Sequence, residues 1–305
     1  MNIVFLYILL GLGWLLAVTM CSLLAFKLYP VKSTGNCGAH VESRLGKSKV
    51  VTPTTSSHKK YFVGLLCIGK NEEMIIRDFI QHYIEQGVEH IYAIDNGSTD
   101  NTAAILKTYV STGYVSYYYM PEIGKQEQHY NAVFKSNIQD ECEWIMVNDV
   151  DEYVFGVHKP LREYLENDLS SHDYLQFRMI NYGSSGHIKH PKDVRCSFIH
   201  RYPEDHTYES DNRKGMVRCS KVRKLRVHSH VLKRGVGIYE VPNTVLRMNH
   251  YISMSKEYWE TVKMTRGDSF YGNRLQRTMD IFDKYNNYAT VEDGSLRDIV
   301  LHGYV

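Results

Sequence analysis

Short apolar runs alternate with amphipathic stretches in the middle of this chain, and this alternation constrains the fold most. Residues 62–68 form a continuous apolar run, which favours a buried strand. A helical pattern follows at 75–84, then a second apolar run at 90–95 and a second helical pattern through Tyr109. Strand, helix, strand, helix predicts an α/β fold with a parallel sheet.

Polar residues stand where the apolar runs end. Asn71 and Glu72 follow the first run, Asp95 closes the second, and Asp149 and Asp151 follow a third at 144–148. Ligands of parallel sheets bind at the carboxyl ends of the strands. The sequence therefore predicts a ligand site at this edge of the sheet.

The Asp149-Val150-Asp151 tripeptide suggests a metal-dependent site. On an extended strand end, alternation would point both carboxylates to the same side, where they could hold a hard divalent cation that also binds a diphosphate. Asp95 and Glu72 could accept hydrogen bonds from a nucleoside base or ribose. An acidic cap between strand and loop, without a metal, is the alternative.

Histidine and lysine candidates accompany these acids. A metal held by two carboxylates commonly recruits an imidazole, and His228 and His250 are the candidates, with His228 preferred. A packing or surface role is the alternative for either residue. Lys125 precedes a predicted helix, where it could reach a diphosphate or simply be an exposed lysine.

The ends of the chain differ from its middle. Residues 3–26 carry no charge and are long enough to cross a bilayer, which predicts a membrane anchor after a two-residue tail (1–2), with a cleavable signal peptide as the alternative. Residues 27–60 are rich in Ser, Thr, Gly, Lys and Pro, which is typical of a flexible stem. Lys27 and Lys32 follow the apolar span, so the positive-inside rule mildly favours a cytosolic catalytic domain.

Charge and cysteine usage exclude other classes. The net charge is +2 and the basic residues are spread along the chain, which argues against nucleic-acid binding. The six cysteines show no Cys-x-x-Cys spacing, so a zinc ribbon or a dithiol redox motif is not supported. Cys196 and Cys219 could form a disulfide or remain buried thiols.

Residues 94–102 resemble the Asp-Gly-Ser-x-Asp-x-Thr motif of family 2-like glycosyltransferases, and a longer set over 61–270 is similar to glycosyltransferase family 92. Besides 94–102, that set comprises Lys70-Asn71-Glu72-Glu73, Gln81-His82-Tyr83 before Gly87-Val88, Asp149-Val150-Asp151-Glu152-Tyr153, Tyr182-Gly183-Ser184-Ser185-Gly186, Asn249-His250-Tyr251, Ser253, Ser255, Lys263 and Arg266-Gly267.

The resemblance implies a glycosyltransferase A-type fold and a nucleotide-sugar donor, with UDP-galactose favoured. It implies Mn²⁺ or a similar divalent cation at Asp149 and Asp151, inverting chemistry, and donor contacts from Lys70, Asn71 and Glu72. It also implies a Golgi membrane protein with a luminal catalytic domain, which conflicts with the charge rule above. Asn96 replaces the second acid of the family 2 pattern, so Asp95 carries that role alone.

The second half of the domain is expected to bind the acceptor. Extended runs at 174–180, 195–199 and 222–227 predict a mixed or antiparallel sheet, and a tail at 271–305 is expected to pack on the domain. Inverting transfer needs a carboxylate base. The candidates for this base are Glu204, Asp205, Glu209 and Asp211, with Glu240 further on. A solvated loop without a catalytic role is the alternative for this cluster of acids.

Two other functions are compatible with parts of the pattern. Paired aspartates beside a nucleotide-binding sheet also serve nucleotidyltransferases, although only Lys70 is available as a triphosphate clamp near the first strand. The second function is a non-catalytic domain that binds glycans without turning them over. Loss of an aspartate would favour this function, but both Asp149 and Asp151 are present. A metal-dependent glycosyltransferase acting on a glycan, glycoprotein or glycolipid acceptor is the preferred function.

Overall fold

The computed structural model describes residues 59–204, 213–267 and 277–304. Their centre is a mixed sheet whose strands lie in the order β3-β2-β1-β4-β8-β6-β12-β5, with β11 paired to β6. The strands of this sheet are β1 (Tyr61–Gly69), β2 (His90–Asp95), β3 (Val115–Tyr119), β4 (Cys142–Val147), β5 (Glu152–Gly156), β6 (Tyr174–Asn181), β8 (Arg213–Arg218), β11 (Tyr239–Glu240) and β12 (Leu246–His250). Two small ribbons pair β7 (His200–Arg201) with β13 (Val291–Glu292), and β9 (Val222–Lys224) with β10 (Val231–Leu232).

Helices connect and flank the strands. They are α1 (Ile76–Glu85), α2 (Thr102–Val110), α3 (Gln126–Val133), α4 (Leu161–Asn167), α5 (Val194–Ser197), α6 (Lys256–Tyr258), α7 (Met279–Tyr288) and α8 (Ser295–His302). Helix α3 continues through a π-helical stretch, Phe134–Ile138, and a last turn, Gln139–Glu141. Helix α6 continues into a π-helical stretch, Trp259–Lys263.

The parallel half of the sheet confirms the prediction from the alternating pattern. Strand β1 pairs in parallel with both β2 and β4, and β2 pairs in parallel with β3. The apolar face of α1 covers this half with Ile76, Phe79, Ile80 and Tyr83, each at most 2% exposed. Because parallel strands share one carboxyl edge, the residues after β1, β2 and β4 lie along the same edge.

The other half of the sheet is mixed, as predicted. Strand β8 is antiparallel to β4 and β6, while β12 is parallel to β6 and antiparallel to β5. The strand predicted at 222–227 extends only over Val222–Lys224. Because β8 runs against β4, its first residues lie beside the carboxyl edge of the parallel half.

The strand predicted at 195–199 is wrong. Residues Val194–Ser197 form a short helix, and the Asp193 carboxylate caps it by accepting from the Arg195 and Cys196 amides. The Arg195 guanidinium, 1% exposed, also donates to Asp193 and Glu85. A capping carboxylate and a buried ion pair thus override the extended pattern.

The predicted pairing of Cys196 with Cys219 does not form. Cys219 is a buried free thiol, as are Cys67 and Cys142, whereas Cys196 is disulfide-bonded. The predicted anchor (3–26) and nearly all of the predicted stem lie outside the described residues. Within the described ranges, no helix has the length and apolar character needed to span a bilayer.

The end of the chain packs against the same domain. Phe282 and Tyr285 of α7 contact Trp259, and Leu296 and Val300 of α8 are part of the main hydrophobic core. Met279 and Phe282 of this tail both lie in α7.

Candidate functional site

The two aspartates of the Asp-x-Asp motif lie in the turn between β4 and β5, not on an extended strand end. The turn is closed by a hydrogen bond from the Glu152 amide to the Asp149 carbonyl at 3.0 Å. The predicted strand alternation over Asp149 and Asp151 is therefore wrong, because a turn interrupts the extended backbone. Each carboxylate instead contacts a different lysine.

Asp149 contacts a buried lysine of β8. Lys214 Nζ lies 3.1 Å from Asp149 Oδ2 and 3.0 Å from Glu152 Oε2, and the side chains of Lys214 and Glu152 are each 1% exposed. Although burial lowers the pKa of Lys214, Asp149 and Glu152 raise it above its ordinary value. The side chain of Asp149 is 35% exposed, so one part of this carboxylate is accessible to a ligand.

Asp151 contacts a second lysine and a histidine. Lys263 Nζ donates to Asp151 Oδ2 at 2.7 Å, and His250 Nε2 lies 3.8 Å from Asp151 Oδ1. Burial raises the pKa of Asp151, but Lys263 and His250 outweigh burial and lower it below the ordinary range. Asp151 is therefore a carboxylate at neutral pH.

His250 presents a nitrogen lone pair towards this carboxylate. Its Nδ1 is 2.8 Å from the Asn181 amide oxygen, which can only accept, so Nδ1 carries the proton. Burial lowers the pKa of His250 to about 4, so the ring is neutral at pH 7 and Nε2 can serve as a metal ligand.

His228, the preferred histidine, lies on the Asp149 side. More than a third of its surface is exposed, but the protein removes water from part of the ring, which lowers the pKa of His228. Lys214 lowers this pKa further, and Asp149 opposes the shift. The structure thus places one candidate imidazole near each aspartate. Which of them binds a metal stays a prediction.

The side chains at this edge include the types that bind a divalent cation. Carboxylate oxygens of Asp149 and Asp151 and the neutral nitrogen of His250 are ligands that Mn²⁺ accepts. Within the described ranges, however, no three His, Cys, Asp or Glu side chains are already grouped as a metal cage. The two lysines supply the positive charge beside the two aspartates.

Asp95 is held in place at the end of β2. Its Oδ1 accepts from the Ser98 amide at 2.8 Å, its Oδ2 accepts from the Tyr117 hydroxyl at 2.7 Å, and the residue is 1% exposed. Asn71, which has a positive φ of 57°, accepts from the Thr99 amide at 2.8 Å. The loops after β1 and β2 are therefore joined side by side at the predicted donor edge.

Glu72 makes its contacts within the protein. It is 3% exposed, accepts from the Tyr258 hydroxyl at 2.5 Å and pairs with Arg266. Burial raises the pKa of Glu72, and Arg266 and Tyr258 oppose that shift. Arg266 also donates to the Lys70 carbonyl at 3.2 Å. Glu72 therefore joins the loop after β1 to the π-helical region.

We expect Tyr117→Phe to destabilise the loop that Asp95 organises. Burial and the Asp95 carboxylate raise the pKa of Tyr117, so the phenol stays a protonated donor. Removing it leaves Asp95 one hydrogen bond short, which should lower the free energy of unfolding in urea by about 1 kcal/mol. Tyr119→Phe on the same strand, where the residue is 61% exposed, should change it by less than about 0.5 kcal/mol. Equal effects of the two substitutions would contradict this role.

The predicted catalytic bases are only partly described. Glu204 is 74% exposed and lies 3.5 Å from Arg201, and Glu240 pairs with Arg213 at 2.5 Å. Asp205, Glu209 and Asp211 lie outside the described residues. The next described residue is Arg213, directly before Lys214, which contacts Asp149. The assignment of a base within this group stays a prediction.

Lys125 is exposed at the N-cap position of α3, and its side chain does not cap the helix. The next residue, Gln126, is 3.4 Å from Asp149 Oδ1. Lys125 is therefore next in the chain to a residue of the site, and a direct role in donor binding stays a prediction.

The lysine partners of the aspartates were not assigned from sequence. Lys263 was recognised only as part of a motif, and Lys214 was not singled out. One signal was present, because Lys214 precedes the apolar residues Met216 and Val217 within an extended pattern, where a charged side chain requires a partner.

Comparison with known proteins decides the family. The profile described as glycosyltransferase family 92 matches residues 59–287, about three quarters of the chain. The chain belongs to glycosyltransferase family 92. This confirms the resemblance drawn from the motifs and the glycosyltransferase class that it predicts.

One curated member of family 92, from rice (Oryza sativa subsp. japonica), is 26% identical over 225 residues, which cover 71% of this chain and 36% of the rice protein. The matched part of the chain thus spans about a third of that relative.

Two solved structures resemble the chain at low identity. The 1–349 fragment of TarS from S. aureus, in complex with UDP-GlcNAc, is 11% identical, covers 80% of this chain and 71% of its own, and has a TM-score of 0.40. A mannosyltransferase from Pyrobaculum calidifontis, in complex with GDP-Man and Mn²⁺, is 15% identical and has a TM-score of 0.31. The match covers 45% of this chain and 40% of the mannosyltransferase chain.

Proposed function

We propose that this family 92 chain is a metal-dependent, inverting glycosyltransferase of the A-type fold that transfers galactose from UDP-galactose to a glycan, glycoprotein or glycolipid. The observation that carries the proposal is the single edge formed by parallel β1, β2 and β4, which collects Asn71, Asp95, Asp149 and Asp151. Oriented acids at the carboxyl edge of a parallel sheet suit a nucleotide ligand.

Each side chain has a distinct part in this proposal. Asp95, fixed by Ser98 and Tyr117, accepts from the base or ribose of the nucleotide. Asp149, Asp151 and a histidine, His250 or His228, would hold Mn²⁺, which supplies positive charge for the departing diphosphate. Lys70 and Lys125 stand at the ends of the loops that border the same edge.

The acceptor hydroxyl must lose a proton during inverting transfer. We assign this step to one carboxylate among Glu204, Asp205, Glu209 and Asp211. The support for this choice is chain connectivity, because the segment leads directly into Arg213 and Lys214 of β8. Turnover that survives replacement of all four acids by amides would rule the segment out.

The class and donor are tested by nucleotide-sugar turnover. The full chain, purified in detergent, is incubated with UDP-galactose, UDP-glucose, UDP-GlcNAc or GDP-mannose, in Mn²⁺ or in EDTA, and nucleotide release is measured. We expect selective release of UDP from UDP-galactose that EDTA abolishes. Release from another donor would change the sugar assignment, and release that persists in EDTA would contradict metal dependence.

We further propose that residues 3–26 anchor the protein in the Golgi membrane, with residues 27–60 as a stem and the catalytic domain in the lumen. The disulfide at Cys196 supports this placement, because disulfides persist in oxidising compartments. In sealed microsomes the domain should resist added protease until detergent is present. Digestion without detergent would place the domain in the cytosol, as Lys27 and Lys32 suggest.

A further inference from the structure

Lys263 is a buried cation inside the candidate site. Its side chain is 4% exposed, and its Nζ donates to Asp151 Oδ2 at 2.7 Å and to the Ile252 carbonyl at 2.6 Å. It is the last residue of the π-helical stretch Trp259–Lys263. The Asp151 carboxylate is its only ion-pair partner among the described residues.

Other cations surround Lys263. Arg266 pairs with Glu72 nearby, Arg277 lies 6.0 Å from the Trp259 ring, and Lys263 Nζ lies 6.0 Å from the same ring. Arg277 and Arg266 act on Lys263 as like charges, and Asp151 acts on it as an opposite charge. Lys263 therefore lies in a positively charged cluster, in which Asp151 is the group that offsets its charge.

Lys214 differs from Lys263 in the number of acids that hold it. Lys214 contacts both Asp149 and Glu152, and Glu152 is 1% exposed. Moving Lys214 would leave Glu152 buried without a counter-charge, which is costly. Lys263 contacts one carboxylate and one neutral carbonyl, so it can leave Asp151 once another cation replaces it.

We propose that Lys263 is a built-in counterion that competes with the divalent cation for Asp151, and that the donor diphosphate then accepts the displaced ammonium group. A metal cation at Asp151 repels an ammonium group held at the same carboxylate, whereas a diphosphate attracts it. The metal and the donor therefore bind cooperatively, each strengthening the other. This inference depends on the metal and donor sites of the proposed function.

The competition predicts that removing Lys263 tightens metal binding when no nucleotide is present. The full chain in detergent is titrated with Mn²⁺, and free Mn²⁺ is measured by electron paramagnetic resonance. We expect Lys263→Met to lower the Mn²⁺ dissociation constant about tenfold or more, since close buried charge pairs couple by at least that factor. Lys256→Met, which removes a 45% exposed lysine of α6, should leave it unchanged.

The same titration with UDP measures the coupling. UDP should tighten Mn²⁺ binding to the unmodified chain by a larger factor than in Lys263→Met, because the variant has no ammonium group to transfer. Equal factors in the two proteins, or Mn²⁺ binding to Lys263→Met that is unchanged or weaker without UDP, would overturn the proposal. If no protein binds Mn²⁺ even with UDP, the metal site of the proposed function itself fails.

Folding is monitored by circular dichroism. Lys263→Gln is titrated in parallel, because it keeps a neutral donor towards the Ile252 carbonyl while removing the charge. If either variant unfolds at a lower temperature, Mn²⁺ should raise its Tm more than it raises that of the unmodified chain, since the cation replaces the missing charge at Asp151. A smaller rise than in the unmodified chain would contradict competition.

Discussion

Replacing Asp151 by Asn should reduce metal-dependent UDP release at least about 100-fold, because the cation supplies several kcal/mol of charge stabilisation for the leaving diphosphate. Asp151 is the acid that faces both Lys263 and His250. Its amide retains the shape of the side chain but offers one oxygen and no charge. The rate of the Asp151→Asn variant should stay low even at an Mn²⁺ concentration that saturates the unmodified chain.

Stability has to be separated from chemistry in this experiment. Asp151→Asn removes the only ion-pair partner that Lys263 has among the described residues, although an amide oxygen and the Ile252 carbonyl can still accept hydrogen bonds from it. Some loss of folding free energy therefore accompanies the loss of turnover. Rates are therefore measured where circular dichroism shows the variant folded. Asp298→Asn is the matched control, since Asp298 is 57% exposed and pairs with its neighbour Arg297 on α8. Retention of more than about a tenth of the rate in folded Asp151→Asn would contradict the role of this carboxylate.

The largest effect on stability is expected at Lys214. Lys214→Met leaves Asp149 and the buried Glu152 without their shared counter-charge. Breaking one side of a buried ion pair costs about 3–5 kcal/mol, so the free energy of unfolding measured in urea should fall by about that amount. Burial raises the pKa of Glu152 above its ordinary value although Lys214 opposes the shift, so removing Lys214 should raise this pKa further.

A second substitution separates charge from packing at this position. Lys214→Met combined with Glu152→Gln removes the charges of Lys214 and Glu152. It should recover part of the lost stability, because the acid that still lacks its lysine is then Asp149, which is 35% exposed. Lys221→Met removes a 38% exposed lysine that pairs with Asp173, and should cost about 1 kcal/mol or less. The role of the buried charge would be contradicted by either of two results. One is a loss of unfolding free energy in Lys214→Met no larger than that in Lys221→Met, and the other is a double variant less stable than Lys214→Met.

The parallel half of the sheet could be predicted because its signal is local. Val63, Leu65 and Leu66 of β1, like all six residues of β2, are buried, so continuous apolar runs mark both strands. The polar residues at their ends follow from the same pattern. Asp95 therefore lies at the edge of the sheet where the sequence placed it.

Long-range contacts explain what could not be predicted. Lys214 contacts Asp149 from 65 residues away, and Lys263 contacts Asp151 from 112 residues away. No periodic pattern in the sequence links such pairs. The turn that holds both aspartates also depends on Glu152, whose carboxylate accepts from the Asp149 amide at 2.9 Å. The short helix at Val194–Ser197 likewise forms around an ion pair with Glu85, 110 residues away.

The central claim is that Asp149, Asp151 and a nearby histidine form the metal site beside the nucleotide. Crystals of the chain grown with UDP and Mn²⁺, measured at the manganese absorption edge, test it most directly. We expect one anomalous peak contacting Asp151, Asp149 or both, with His250 or His228 as a further ligand and the diphosphate of UDP beside it. Uridine bound with its diphosphate remote from both aspartates, or an anomalous peak elsewhere in the chain, would contradict the claim.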